Sequence, residues 1–139
     1  MDKGYQTLIR LHQYHVDEKR RALGNLLGQV ANLENQSSEL ENQILVEQDV
    51  ARSAPENVGM FYGDYAAAAV QKLSDLTQAI TKVESHITVA QDEMRTEYKD
   101  LKVYEISQET IDTAEKKERD RQETAFLDEL GQEAYRRKG

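Results

Sequence analysis

The sequence of 139 residues contains no cysteine and no tryptophan, one proline and only two phenylalanines. Without cysteine, the chain can form neither disulfides nor thiolate metal sites. No apolar run approaches the ~18 residues that a membrane span needs, and the start of the sequence lacks the continuous apolar stretch of a secretory signal. So few large apolar residues leave little material to enclose a substrate pocket. We therefore expect a soluble intracellular protein without direct membrane insertion, and not an enzyme.

Charge is abundant but mixed in sign. Charged residues make up 32% of the chain and the formal net charge is -8, with acidic and basic residues interspersed. The densest basic cluster near the start is short, Lys19 to Arg21. Phosphate binding requires a concentrated cationic face, and surface helices that bind anionic lipids need one as well. The sequence thus predicts neither nucleic acid nor a membrane surface as a partner.

The dominant pattern is a run of mostly apolar residues at alternating steps of three and four, interrupted once. Steps that average 3.5 residues form a narrow stripe along a helix and are typical of left-handed coiled coils. The first stripe contains Tyr5, Ile9, His12, Val16, Lys19, Leu23, Leu26, Val30, Leu33, Ser37, Leu40 and Ile44. The second contains Tyr62, Ala66, Ala69, Leu73, Leu76, Ile80, Val83, Ile87, Ala90, Met94, Glu97, Leu101, Tyr104, Gln108 and Ile111. Together these stripes predict one seam between two helices.

The interruption contains the only proline, Pro55, which disfavours helix at the residue before it. Asn57 and Gly59 follow, and both residue types tolerate the left-handed conformations found in turns. A single break predicts that both helices belong to one molecule. The predicted fold is all-α, a long two-helix antiparallel coiled-coil hairpin with an extended C-terminal helix.

We predict a single coiled-coil domain over residues 1–139. Its expected elements are helix 1 at about 3–52, a turn at about 53–60 and helix 2 at about 61–137. Antiparallel folding about residue 57 would place Tyr5 near Glu109.

The second helix is predicted to be longer than the first, and beyond about residue 112 it has no partner within the molecule. A charged segment follows, and apolar residues then return in a group that we call the terminal stripe: Phe126, Leu127, Leu130 and Tyr135. An apolar stripe on an unpaired helix indicates a surface for a partner. Two alternatives stay open, packing back on Leu8 and Leu11, or fraying of the helix end.

His12 and His15 are the only residues that suggest a metal site, and Asp17 and Glu18 follow them closely in the sequence. Helical bundles bind metals with ligands three residues apart, but they draw further ligands from other helices. We therefore interpret His12 as a polar seam residue and His15 as a surface histidine. The sequence contains no phosphate-binding glycine motif, and it predicts no catalytic residue, metal or cofactor.

Two further features interrupt the apolar pattern. The polar seam residues Lys19, Ser37, Glu97 and Gln108 either fix the register of the two helices or have a mechanical role. A pair of glycines, residues 24 and 28, lies inside the first helix and indicates surface positions, a close helix approach or a hinge.

Four segments together resemble the FliJ family of flagellar export proteins, in its alphaproteobacterial form. They are TLIRLHQYHVDEKRRALGNLL, FYGDYAAAAVQKLSDL, EYKDLKVYE and ERDRQETAFLDELGQEAYRR, and they cover nearly the whole chain in the expected order. The most specific parts are VDEKRR near the start and LDELG followed by RR near the end. The alanine-rich segment after the turn and the paired glycines depart from the family pattern.

The resemblance implies a non-enzymatic stalk in the flagellar type III export apparatus, similar to the γ subunit of rotary F-type ATPases. Family members are cytoplasmic and act peripherally at the inner-membrane export gate of the flagellar base. Their rod inserts into the hexameric export ATPase FliI and promotes ring assembly. It also contacts the gate protein FlhA and escorts empty export chaperones.

The resemblance also implies which surfaces bind. The family's gate contact matches Leu76 and Ala79 of this sequence, and Leu40, Ile44 and Tyr65 join it by position only. The ATPase ring is expected to bind the terminal stripe. Three alternatives remain: an export chaperone that binds substrates, a purely structural coiled-coil scaffold, and a metalloenzyme centred on His12 and His15.

Overall fold

The computed structural model describes residues 4–53 and 56–138, and the side chains of all of these except 56–61. Helix α1 is Gln6–Ser53, with 48 residues, and helix α2 is Glu56–Lys138, with 83 residues. These two helices are the only secondary-structure elements of the described chain, and they pack against each other as a helical hairpin. The predicted all-α hairpin with an extended second helix is thereby confirmed. No helix within the described residues is long and apolar enough to cross a membrane.

Helix α2 begins at Glu56, within the segment predicted to form the turn. Asn57 and Gly59 belong to this helix, and no described residue has a positive φ angle, so the expected left-handed conformations are wrong. Asn and Gly each cost no more than about 1 kcal/mol relative to Ala in a helix, which a long packed helix tolerates. Pro55, on which the predicted turn depends, lies outside the described residues.

The predicted seam is confirmed along both helices, because every residue of the two stripes is buried or partly buried. Val16 and Ala69 are the most enclosed, at 4% and 5% exposure. No large side chain in the described structure falls below 2% exposure. This follows from the architecture, since two helices can cover the seam from only two sides.

The chain divides into two compact units, each combining parts of both helices. Unit 1 contains Met1–His15 and Thr96–Gly139, and unit 2 contains Val16–Arg95. The buried side chains of unit 2 are apolar: Val16, Ala69, Leu76, Ile87 and Ala90. In unit 1 the buried residues are Leu101 and Gln108, so its seam is more polar.

The register of unit 1 differs from the predicted one. The Tyr5 ring lies 5.8 Å from the Tyr104 ring, whereas Tyr5 was expected near Glu109. The expected register assumed that the chain reverses at about residue 57. Because α1 ends at Ser53 and α2 begins at Glu56, the reversal comes earlier, and the pairing shifts by about five residues.

Gly24 and Gly28 lie on the surface of α1, and a Cβ atom built at either one meets nothing within 4 Å. The expectation that these glycines allow the two helices to approach closely is therefore wrong, while a hinge at this position stays a prediction.

We expect Gly24→Ala and Gly28→Ala each to raise the free energy of unfolding by about 0.5–1 kcal/mol, because Ala loses less backbone entropy in a helix. Denaturant unfolding followed by far-UV circular dichroism measures this gain. The control is Ala22→Gly, at a neighbouring exposed position, which should lower stability by a similar amount. If neither Gly24→Ala nor Gly28→Ala raises the free energy of unfolding, the prediction is wrong.

Candidate functional site

Unit 1 brings together three potential metal ligands, which we call the histidine cluster: His12, His15 and Glu97. The Nδ1 atom of His12 lies 3.1 Å from Oε2 of Glu97, and Nδ1 of His15 lies 3.5 Å from the same oxygen. The side chains of His12, His15 and Glu97 are 16%, 36% and 24% exposed. The cluster therefore joins α1 to α2 through one carboxylate oxygen of Glu97, whose side chain is partly exposed.

Aromatic rings surround the cluster. The Tyr104 ring stacks on the His12 imidazole, with centroids 5.1 Å apart and an interplanar angle of 22°. The Tyr5 ring packs on Tyr104, and Tyr14 lies beside His15 with centroids 6.0 Å apart. Stacking against Tyr104 holds the plane of the His12 ring, and Nδ1 of that ring makes the 3.1 Å contact with Glu97.

His12 and His15 could be identified from the sequence as candidate ligands, but Glu97 could not be identified as their partner. Glu97 was predicted only as a polar seam residue, because the expected register placed other residues opposite the histidines. Its acidic character on a seam position was the available signal.

Two other polar seam residues, Lys19 and Gln108, also make hydrogen bonds. In unit 2, Lys19 Nζ donates a hydrogen bond of 2.9 Å to Oε2 of Glu93. In unit 1, Gln108 Nε2 donates to Asp112 Oδ1 at 2.9 Å, while Gln108 Oε1 is buried without a hydrogen-bond partner among the described residues. The Lys19–Glu93 contact pairs opposite charges across the helices, as expected for residues that specify register.

The residues proposed for the gate all lie in unit 2, but they are poorly accessible. Leu76 is only 8% exposed, and Ala79, Leu40 and Ile44 are partly buried. Tyr65 is partly buried as well, and its buried hydroxyl has no partner among the described residues. A partner can therefore touch most of this group only at its edges.

Exposed apolar residues that the seam pattern does not include follow Ile44 directly. Leu45, Val46 and Val50, which we call the α1 patch, are 59%, 59% and 53% exposed. The seam pattern could not identify them, because they lie outside its three- and four-residue steps. Their exposure makes them accessible to a partner in a way that Leu76 is not.

The terminal stripe is fully accessible. Phe126, Leu127, Leu130 and Tyr135 are 60%, 59%, 47% and 82% exposed, and every residue from 112 to 138 is exposed. Helix α2 continues to Lys138, so this end is helical and is not covered by Leu8 or Leu11. Gly131 lies between Leu127 and Tyr135 and leaves a shallow groove on the helix surface.

Local ion pairs accompany the terminal stripe. Arg121 donates two hydrogen bonds to Glu118, at 2.7 Å and 3.1 Å, and these bonds together with its charge lower the pKa of the Glu118 carboxyl below its ordinary value. A second pair, Arg137 with Glu133, has a distance of 3.1 Å. Such exposed pairs contribute little to the stability of a helix, because solvent screens their charges. The last turn is basic and contains Arg136, Arg137 and Lys138. Their positive charges interact favourably with the negative, C-terminal end of the helix dipole.

Comparison with known proteins gives one match. The family model described as Flagellar FliJ protein matches residues 1–139, the whole chain. No curated protein and no solved structure matches significantly. A family match over the full sequence agrees with the resemblance of the four segments and with the two-helix hairpin. The chain therefore belongs to the flagellar FliJ protein family and is a component of the flagellar export apparatus.

Proposed function

We propose that the chain is a non-enzymatic stalk that couples the export ATPase FliI to the export gate protein FlhA. In this role it binds the ATPase ring and promotes its assembly, contacts the gate, and escorts empty export chaperones. It acts in the cytoplasm, peripherally associated with the inner-membrane gate at the flagellar base. The observation that carries the proposal is the match to a flagellar export family over the whole chain, in a hairpin whose longer helix leaves an apolar stripe uncovered.

The terminal stripe is the proposed contact with the ATPase ring. Groups of exposed apolar residues such as the terminal stripe are characteristic of protein contact sites, and aromatic side chains are enriched in such sites. Phe126 and Tyr135 supply two aromatic rings on the same exposed segment. The basic last turn beside them favours a partner surface in which acidic groups border an apolar pocket.

The gate contact is proposed in unit 2, at Leu76, Ala79, Leu40, Ile44 and Tyr65. Burial of Leu76 supports a role in holding the helices together beneath the surface that the gate touches. The α1 patch supplies exposed apolar area immediately after Ile44, and we include it in the proposed gate surface. A gate partner would then contact the α1 patch directly while Leu76 positions the two helices.

Titration of the untagged chain into purified flagellar export ATPase tests the proposal. We expect ATP turnover to rise and oligomeric rings to form over the same concentration range, because a stalk that promotes assembly must do both. Ring formation is followed by light scattering or electron microscopy. A matched amount of an unrelated helical hairpin serves as the control. If the helical chain changes neither turnover nor assembly, the stalk proposal is wrong, and an export chaperone or a structural scaffold becomes the better explanation.

A further inference from the structure

We propose that His12, His15 and Glu97 form a binding site for a divalent transition metal of the zinc type, which joins α1 to α2 within unit 1. This inference is independent of the stalk function. It rests on the geometry of the histidine cluster, on the kinds of atoms that the cluster offers, and on how the two helices hold those atoms.

The two distances from the histidines to Glu97 are close to those between the ligands of a tetrahedral metal ion. Ligand atoms at about 2.0–2.1 Å from a tetrahedral zinc ion lie about 3.3–3.4 Å from one another. In the cluster, Glu97 Oε2 lies 3.1 Å from Nδ1 of His12 and 3.5 Å from Nδ1 of His15. Three ligand atoms, one from each residue, all lie within 4.8 Å of one another. An ion at about 2.0–2.1 Å from all three ligand atoms therefore requires the side chains to move toward a common point.

The donor set selects the class of metal. Two imidazole nitrogens and one carboxylate oxygen match a three-ligand zinc site, in which water completes the coordination. Calcium and magnesium prefer oxygen ligands and larger coordination numbers, so this cluster suits them poorly. The 36% exposure of the His15 side chain leaves access for the ion and for its water.

The two helices hold the ligands in place before a metal arrives. Residues three apart on a helix are neighbours on one face, so α1 presents His12 and His15 together. Glu97 comes from α2, and Tyr104 of the same helix stacks on His12. Ligands fixed by packing lose little freedom on binding, which favours affinity. The same geometry also serves as a hydrogen-bonded contact without metal, so the experiment has to separate these two states.

A bound ion would connect α1 to α2 in the unit whose seam is more polar. An ion that binds the folded chain and not the unfolded chain raises stability by an amount that grows with the logarithm of its free concentration above Kd. Zinc is therefore expected to raise the melting temperature of the chain in a concentration-dependent way, and chelation by EDTA should reverse the increase.

The test is titration of the untagged, metal-free chain with Zn²⁺ by isothermal calorimetry, with Co²⁺ as a spectroscopic probe. We expect one equivalent to bind, and we expect Co²⁺ to develop the intense visible bands of a four-coordinate ion. His15→Gln and Glu97→Gln should each weaken binding by at least about tenfold, because changes even outside the ligand shell cost that much. Circular dichroism establishes that each variant is as helical as the parent chain.

The chain contains a matched control, because His86 is its third histidine and lies exposed in unit 2. His86→Gln should leave Zn²⁺ binding and the Co²⁺ spectrum unchanged. The proposal is overturned if the folded chain shows no saturable Zn²⁺ binding, if Co²⁺ keeps the weak spectrum of the hydrated ion, or if His86→Gln weakens binding as much as His15→Gln does. It is also overturned if Glu97→Gln binds Zn²⁺ as tightly as the parent chain.

Discussion

A chain that ends at Ile111 is expected to keep its paired helices but to lose all stimulation of the export ATPase. Residues 112–138 are exposed throughout, so their removal takes away little of the buried seam. The terminal stripe is removed with them, and with it the proposed contact with the ring. Thermal unfolding by circular dichroism measures the first effect, and ATP turnover with ring formation measures the second. Normal stimulation by the shortened chain would show that the ring binds elsewhere.

Point variants make the same test without shortening the helix. Phe126→Asp and Leu130→Asp place a charge on two side chains of the terminal stripe that are one helical turn apart and 60% and 47% exposed. A carboxylate at a desolvated contact costs several kcal/mol, so we expect stimulation to fall by at least about tenfold. The matched control is Ala125→Asp, which adds the same charge at an exposed position about 100° around the helix axis from Phe126. An equal loss in Ala125→Asp would assign the effect to net charge rather than to the stripe.

The seam could be predicted from the sequence because its pattern is local. Steps of three and four residues place side chains on one stripe of a helix regardless of what the stripe meets. Even polar members such as Lys19 and Glu97 are partly buried, as their positions in the pattern require. The family could also be identified, because the segments that carry the resemblance span the chain.

The register could not be predicted, because it depends on where the chain reverses. A reversal at about residue 57 was inferred from the residues that favour turns, yet Asn57 and Gly59 are helical. Packing along a long helix outweighs a local preference of about 1 kcal/mol. The resulting shift of about five residues concealed the contact between His12 and Glu97. The α1 patch was missed for a different reason, since a periodic pattern finds residues that are buried in the seam and not exposed ones beside it.

Leu76→Asp is expected to unfold unit 2 locally and to abolish binding to the gate protein. The side chain is 8% exposed on an apolar seam, and an uncompensated buried charge costs roughly 3–5 kcal/mol, a large fraction of the stability of a typical domain. Loss of gate binding by this variant therefore reports loss of the paired helices as well as loss of a contact. Thermal unfolding and a pull-down with the cytoplasmic part of the gate protein measure the two effects. A variant that melts like the parent chain would contradict the burial of Leu76.

Two further variants distinguish a role of Leu76 in holding the helices together from a direct contact with the gate protein. Leu76→Met conserves volume in the seam and should cost less than about 1.5 kcal/mol, so gate binding should survive if Leu76 acts by holding the helices together. Val46→Asp changes a side chain that is 59% exposed, so it should leave the melting temperature nearly unchanged while weakening gate binding. If Val46→Asp binds the gate protein normally, and Leu76→Met folds but does not bind it, the gate protein contacts Leu76 itself. The α1 patch is then not part of the contact. The opposite result assigns direct contact to the exposed patch, because a side chain that is already enclosed by the seam has little surface left to offer a partner.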